Sequence, residues 1–202
     1  MNIAVLASGR GSNFQAIIDG IKDGRIKNSK IVVLITDNKE AKAIERAKAN
    51  NIPVEFVDYR EGREVAERRI KELLDRYKSD LVCLAGFMRI IKTKELLEGY
   101  RNKIINIHPA LLPSFTGMHA QKKAFEHGVK VSGCTVHFVD ESLDGGPIID
   151  QACVYIGDCK SAEEVEERIL KEEHKLYVKV VGMFAEGKFK IEGRRVIYQK
   201  AP

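Results

Sequence analysis

Three short stretches of this sequence combine residue types and spacing that could do chemistry. The first is Asn106-Ile107-His108-Pro109. A histidine exchanges protons near neutral pH, and an asparagine amide can donate to an oxygen that gains negative charge. With one residue between them, both fall on the same side of an extended chain. Pro109 stops the strand and stiffens its exit. The second is Leu143-Asp144-Gly145-Gly146-Pro147. Its glycines permit a backbone path that could aim the Asp144 carboxylate inward. A carboxylate beside a histidine favours the charged ring and can pass protons through water. The third is Ser8-Gly9-Arg10-Gly11-Ser12-Asn13, between an apolar run and a helical pattern. Glycines there let the backbone turn tightly. The following helix N-terminus then presents free N–H groups and a positive dipole end to an anion such as phosphate.

Each stretch also has a plain structural explanation. Asn106 and His108 suit a turn asparagine and a loop histidine. Asp144 suits a surface turn, and Ser12 or Asn13 suits a helix N-cap. The glycine turn is not a full dinucleotide fingerprint, since Phe14 stands at the third glycine position, and no Gly-Lys-Ser/Thr follows to make a P-loop. His137, inside an apolar strand-like run, is expected to be a satisfied core histidine. His119 is expected to line a pocket mouth or cap a helix. No His-Glu-x-x-His or comparable metal spacing occurs, so no metal is expected. No Gly-x-Ser-x-Gly elbow occurs, so a covalent nucleophile is not indicated.

These stretches matter only if the fold gathers them. Asn2–Ala7, Ile31–Thr36, Pro53–Val57, Leu81–Ala85 and Lys103–Ile107 are short, mostly apolar runs. Runs of this kind suit strands buried on both faces of a parallel sheet. Helical faces lie between them: Phe14, Ile17, Ile18 and Ile21 mark one, and Ala66, Ile70, Leu73, Leu74 and Tyr77 another. This alternation predicts an α/β fold, doubly wound around a mostly parallel sheet with right-handed crossovers. In the second half, Val131–Val139 and Pro147–Ile156 read as strands around the loop Asp140–Gly146. Ser161 and Glu164 form a capping box for a long helix to about Phe184. Gly187–Ile191 and Arg194–Tyr198, joined by Glu192–Gly193, read as a hairpin. No linker or repeat divides the chain, so one domain, residues 1–202, with both halves sharing one sheet is expected.

Composition narrows the partners. The 202 residues are 44% hydrophobic and 31% charged, as in ordinary globular domains. Aromatics are 7% with no tryptophan, which does not support stacking on nucleic acid. The net charge of +5 suits a phosphorylated or carboxylate-bearing small molecule. No apolar run approaches the roughly 20 residues of a membrane span, so no membrane partner is expected. The N-terminus reads as a first strand rather than a signal peptide. Cys83, Cys134, Cys153 and Cys159 show no CxxC spacing, so a reduced, cytoplasmic setting is expected.

Taken together, Ile3–Asn13 (IAVLASGRGSN), Leu84–Ile91 (LAGFMRII), Asn106–Pro113 (NIHPALLP), Val136–Val139 (VHFV) and Leu143–Pro147 (LDGGP) resemble the phosphoribosylglycinamide formyltransferase family, as does the Glu173-His174 pair. The resemblance covers essentially the whole chain. Ala110 and Thr116 depart from what the family often carries, at positions not expected to do chemistry. The resemblance implies a mononucleotide-binding half over 1–100 and a catalytic, folate-binding half over 101–202. It implies that 10-formyltetrahydrofolate, as co-substrate, gives its formyl group to 5'-phosphoribosylglycinamide in purine synthesis. It implies catalysis by Asn106, His108 and Asp144, with Gly11, Ser12 and Asn13 cradling phosphate and ribose and Glu173 holding the glycinamide end. Met88, Arg89, Ile90, Ile91, Asn106, Asp140 and Asp144 are implied to contact the folate, and Arg63 its glutamate tail. Hydrolysis of the same formyl-folate and a non-catalytic mononucleotide-binding module are the alternatives. Monomer and homodimer both remain open.

Overall fold

The computed structural model describes residues 1–200. Its first five strands are β1 (Asn2–Leu6), β2 (Lys30–Thr36), β3 (Val54–Phe56), β4 (Leu81–Leu84) and β5 (Ile104–His108). Helix α1 (Ser12–Lys22) joins the first two strands, and α2 (Ala43–Ala49) follows the second. Helix α3 (Arg63–Arg76) leads into β4, and α4 (Lys94–Gly99) leads into β5. The second half runs α5 (Ala120–His127), β6 (Val131–Phe138), β7 (Ile148–Tyr155), α6 (Ala162–Glu186), β8 (Gly187–Glu192) and β9 (Arg195–Lys200). One nine-stranded sheet results, in the order β3-β2-β1-β4-β5-β6-β7-β9-β8.

The five strands from β3 to β5 are mutually parallel. β6 runs antiparallel to β5, and β7 antiparallel to β6. The doubly wound, mostly parallel sheet expected from the alternation is therefore present, and both halves share it. Reversal at β1, where β2 and β4 lie on opposite sides, is the switch point at which such sheets open a crevice.

Strand alternation divides the core. Ile3, Val5 and Ala7 pack on the face covered by α1 and α6, with Phe14, Ile17, Tyr177 and Val181. Ala4 and Leu6 pack on the opposite face against Ile70, Leu73 and Leu74 of α3. In β5, Ile105 and Ile107 belong to the α6 side and Ile104 to the α3 side, so Asn106 and His108 share the side of Ile104. The buried Tyr177 hydroxyl donates to the Leu84 carbonyl at 2.9 Å and ties α6 to the end of β4.

Several boundaries differ from the sequence expectation. β5 extends one residue further, so His108 is part of the strand rather than beyond it. The last turn is Gly193–Arg194, with Gly193 at φ 61°, because the left-handed geometry of the turn selects that glycine. Helices α2, α4 and α5 are six to eight residues long, too short for an apolar stripe to show in the sequence. Among the described residues, no helix is long and apolar enough to cross a membrane.

The β6–β7 ladder leaves no room for a side chain at Gly133. A Cβ there would lie 1.9 Å from the Ala152 carbonyl oxygen and 2.8 Å from Leu111 Cδ2. Gly133→Ala should lower the melting temperature by about 5–10 °C, the scale of an overpacked core position in a domain of this size. Thermal unfolding followed by circular dichroism checks this, and an unchanged midpoint would contradict it.

Candidate active site

The antiparallel register pairs Asn106 with His137 and His108 with Thr135 across β5 and β6. His137 is buried, and its Nδ1 lies 2.8 Å from the Phe138 carbonyl oxygen. A carbonyl only accepts, so that nitrogen carries a proton. Burial pushes the His137 ring below its ordinary value, so it is neutral at pH 7. Nε2 is then an acceptor, and Asn106 Nδ2 donates to it at 3.2 Å. This contact fixes the orientation of the Asn106 amide. One N–H is spent on His137 and one is left for a ligand.

His108 is buried too, and both its ring nitrogens face oxygens. Nε2 lies 2.8 Å from the Phe115 carbonyl, and Nδ1 lies 3.5 Å from Asp144 Oδ2. Asp144 Oδ2 also accepts from the Gly117 N–H at 2.7 Å, and Oδ1 lies 3.9 Å from His137 Nε2. The loop after β6 brings the carboxylate here by a left-handed residue, Asp144 at φ 52°. It then returns against the strand end, where a Cβ on Gly146 would lie 1.8 Å from the Phe138 carbonyl oxygen. The loop glycines that suggested an inward aspartate in the sequence do serve that path.

The glycine turn after β1 is built differently from the expectation. The N-cap of α1 is Gly11, at φ 67°, and not Ser12 or Asn13. A Cβ on Gly11 would lie 2.8 Å from that of Ala43, so α2 packs against the turn. No side chain caps the helix, and its first backbone acceptor, the Gly11 carbonyl, receives Gln15 N at 2.9 Å. The N–H groups ahead of Gln15 are outside the helical ladder and available to an anion. Asn13 fails as a cap because its side chain is used elsewhere. Its Nδ2 donates to Glu173 Oε2 of α6 at 2.7 Å, and both residues are buried. Burial pushes the Glu173 carboxyl up, and the Asn13 bond opposes this. The partner-free Asn13 Oδ1 is a buried acceptor at the same spot.

Between these two clusters runs the segment after β4. The Met88 N–H donates to Ser8 Oγ at 2.9 Å, and Ser8 Oγ donates to Asp37 Oδ1 at 2.6 Å. Arg89 Nε donates to Asp37 Oδ2 at 2.7 Å, and its guanidinium lies 5.1 Å above the Tyr59 ring. Further along, the Lys92 and Thr93 N–H groups donate to the buried Glu67 carboxylate at 3.0 and 2.7 Å. Arg63, at the start of α3, stands 3.8 Å from the same carboxylate, with its side chain half exposed. Met88 and Ile90 are exposed, whereas Ile91 is buried in the core. Ile91 can therefore meet a ligand only through its backbone. Asp140 turns back on its own loop, accepting from the Ser142 N–H at 2.9 Å and from the Ser142 hydroxyl.

Asn106, His108 and Asp144 thus come together, and Asn13 meets Glu173. Met88–Ile91 is tied to the glycine turn through Ser8. Arg63 reaches that segment only through Glu67, and Asp140 touches none of the others. Four contributors escaped the sequence motifs: Ser8 and His137 lay inside quoted runs without a role, and Asp37 and Glu67 lay outside them. Asp37 follows the end of β2, where parallel sheets collect ligand-facing residues. Glu67 falls three and seven residues before Ile70 and Leu74, a carboxylate on the apolar stripe of α3. His137 was expected to be a satisfied core histidine. It is buried and satisfied, and one of its two partners is Asn106. Among the described residues, no three His, Cys, Asp or Glu side chains are grouped as a metal site.

Comparison with known proteins gives the family. Residues 1–181 match the family model described as formyl transferase. The phosphoribosylglycinamide formyltransferase of Bacillus subtilis is 46% identical over 181 residues, covering 88% of this chain and 91% of that protein. That of Escherichia coli is 38% identical, covering 95% and 90%. The crystal structure of glycinamide ribonucleotide transformylase 1 from Symbiobacterium toebii superposes with a TM-score of 0.93 at 45% identity, covering 97% of this chain and 92% of that one. With the family model spanning most of the sequence and these relatives spanning nearly their whole lengths, the chain belongs to the formyl transferase family, the family of the phosphoribosylglycinamide formyltransferases.

Proposed function

We propose that this chain transfers the formyl group of 10-formyltetrahydrofolate to the free amine of 5'-phosphoribosylglycinamide, a step of de novo purine synthesis. The observation that carries the proposal is the cluster at the end of β5. There an asparagine with one spare N–H, a histidine between two oxygens and a carboxylate converge.

The phosphate binds at the backbone N–H groups of Gly11, Ser12 and Asn13, and Glu173 meets the glycinamide end. The pterin lies between Met88–Ile91 and the Asp140–Asp144 loop, partly against backbone groups, with Arg63 toward the glutamate tail. The amine nitrogen attacks the formyl carbon, and the carbonyl oxygen gains negative charge. The spare Asn106 N–H donates to that oxygen. So does His108 Nε2–H, for which the oxygen takes the place of the Phe115 carbonyl. The Asp144 carboxylate lies on the Nδ1 side of the same ring. The proton released by the attacking nitrogen passes, through water beside Asp144, to N10 of the folate. The bond between the formyl carbon and N10 then breaks, giving the N-formyl amide and tetrahydrofolate. Holding both reactants at one end of the sheet's strands removes most of the entropy of a bimolecular encounter.

The direct test supplies formyl-folate with and without the glycinamide nucleotide. Formyl transfer that requires the amine is expected. Release of formate without it would make the chain a hydrolase, and no turnover would leave a binding module. Within the cluster, Asp144→Asn keeps an acceptor for the Gly117 N–H but removes the charge. It should cut kcat by about 10²–10⁴-fold, with KM values little changed. Steady-state kinetics checks this, and near-normal turnover would remove Asp144 from the proton path. His137→Leu should lower kcat by roughly tenfold or more by freeing the Asn106 amide. Combined with Asn106→Ala it should cost little beyond Asn106→Ala alone, since both act on one donor. Fully additive losses would refute that link.

A further inference from the structure

One ion pair crosses the phosphate turn and has no part in the chemistry above. Helix α6 carries Glu166 and Glu173 seven residues apart, which places both on one face. Glu173 takes the Asn13 side chain, and Glu166 takes the guanidinium of Arg10. These are two rungs from the glycine turn to the same helix face, but they differ in kind. The Asn13–Glu173 rung is buried. In the other, the Arg10 side chain is 74% exposed and that of Glu166 41%. The Arg10 backbone, by contrast, is fixed. Arg46 Nε donates to its carbonyl at 2.9 Å, and Arg46 Nη1 reaches Gln15 Oε1 at 3.2 Å. Arg10 thus puts an exposed cation on an anchored residue, directly preceding the N-cap of α1. Its charge is felt within the cradle, where it favours the ionised form of Glu173 while Glu166 opposes it.

We propose that Arg10 is a phosphate ligand held in reserve by Glu166, and that the phosphate of the substrate takes the guanidinium from the Glu166 carboxylate. This rests on the function proposed above and adds to it a residue that selects for phosphorylation. The backbone N–H groups of the turn bring a phosphate beside residue 10. A phosphate carries more charge than a carboxylate and offers more acceptor oxygens to the planar fork of an arginine. An exposed ion pair is weak and exchanges readily, and the released Glu166 returns to water without stranding a buried charge. Glu166 is therefore an internal competitor of the substrate's phosphate. Removing either partner of the pair should act in opposite directions.

The experiment compares wild type, Arg10→Ala and Glu166→Gln with two amines at saturating formyl-folate: 5'-phosphoribosylglycinamide and its dephosphorylated riboside. Arg10→Ala is expected to raise KM for the phosphorylated amine about tenfold, the scale of one charge-assisted hydrogen bond, with kcat within about twofold. Its kcat/KM for the riboside should stay unchanged. Glu166→Gln should lower KM for the phosphorylated amine by about two- to threefold, on the same scale of weak surface pairing. An equal loss on both amines would make Arg10 a structural residue and overturn the proposal. So would an unchanged KM in Arg10→Ala, or an unchanged or raised KM in Glu166→Gln. Titration of inorganic phosphate followed by phosphorus NMR reads the same exchange without turnover. Weaker binding by Arg10→Ala and tighter binding by Glu166→Gln support the proposal even if wild type transferred no formyl group, an outcome that would overturn the function alone. Equal phosphate binding by all three proteins would overturn the role of Arg10.

Discussion

The pairing of β5 with β6 is the constraint on which the site rests. The sheet changes there from parallel to antiparallel, and the register sets Asn106 beside His137 and His108 beside Thr135. What locks that register is apolar. Ile105, Ile107, Cys134, Val136 and Phe138 all pack on the α6 side of the sheet. A slip of one residue would turn these side chains away from α6 and drive the polar ones into its core. The hydrophobic effect on one face therefore fixes the polar cluster on the other. The loop after β6 completes the cluster, because Gly146 lets it close against the Phe138 carbonyl and return Asp144 to the strand ends.

The two histidines of the cluster show how environment divides their duties. His137 is withdrawn from solvent, and that burial, with a smaller contribution from nearby His108, holds it neutral against the opposing effect of its bond to the Phe138 carbonyl. A neutral ring can accept the Asn106 N–H, which a charged ring could not. His108 lies between a carbonyl and a carboxylate, a setting for donation from both nitrogens. Identical side chains on neighbouring strands thus serve as acceptor and donor.

Carboxylates organise the remainder of the site by gathering hydrogen-bond donors. Asp37 holds the Ser8 hydroxyl and Arg89, and through Ser8 it positions the Met88 backbone. Glu67 holds the Lys92 and Thr93 N–H groups. The segment between is thereby fastened at both ends while Met88 and Ile90 stay exposed. A shielded carboxylate stays where it is because moving it would leave charge or donors unmatched. Glu166, in an exposed pair, has no such restraint.

The sequence alone determined the sheet class, because apolar runs separated by amphipathic helices have few other ways to bury both faces. It also marked residues that the fold gathers. Asn106 and His108 are two apart on one strand, and the glycines around Asp144 and at Gly11 mark unusual backbone paths. Such local patterns carry their physical reason within a few residues. Pairing between distant segments does not. That His137 orients Asn106, that Asn13 leaves the helix cap for Glu173, and that Asp37 and Glu67 fasten the segment after β4 all depend on strand order and helix packing. No spacing in the chain encodes which donors a buried carboxylate will meet. The tertiary structure decided that, because burial obliges each of these polar groups to find whatever partner the folded chain brings within reach.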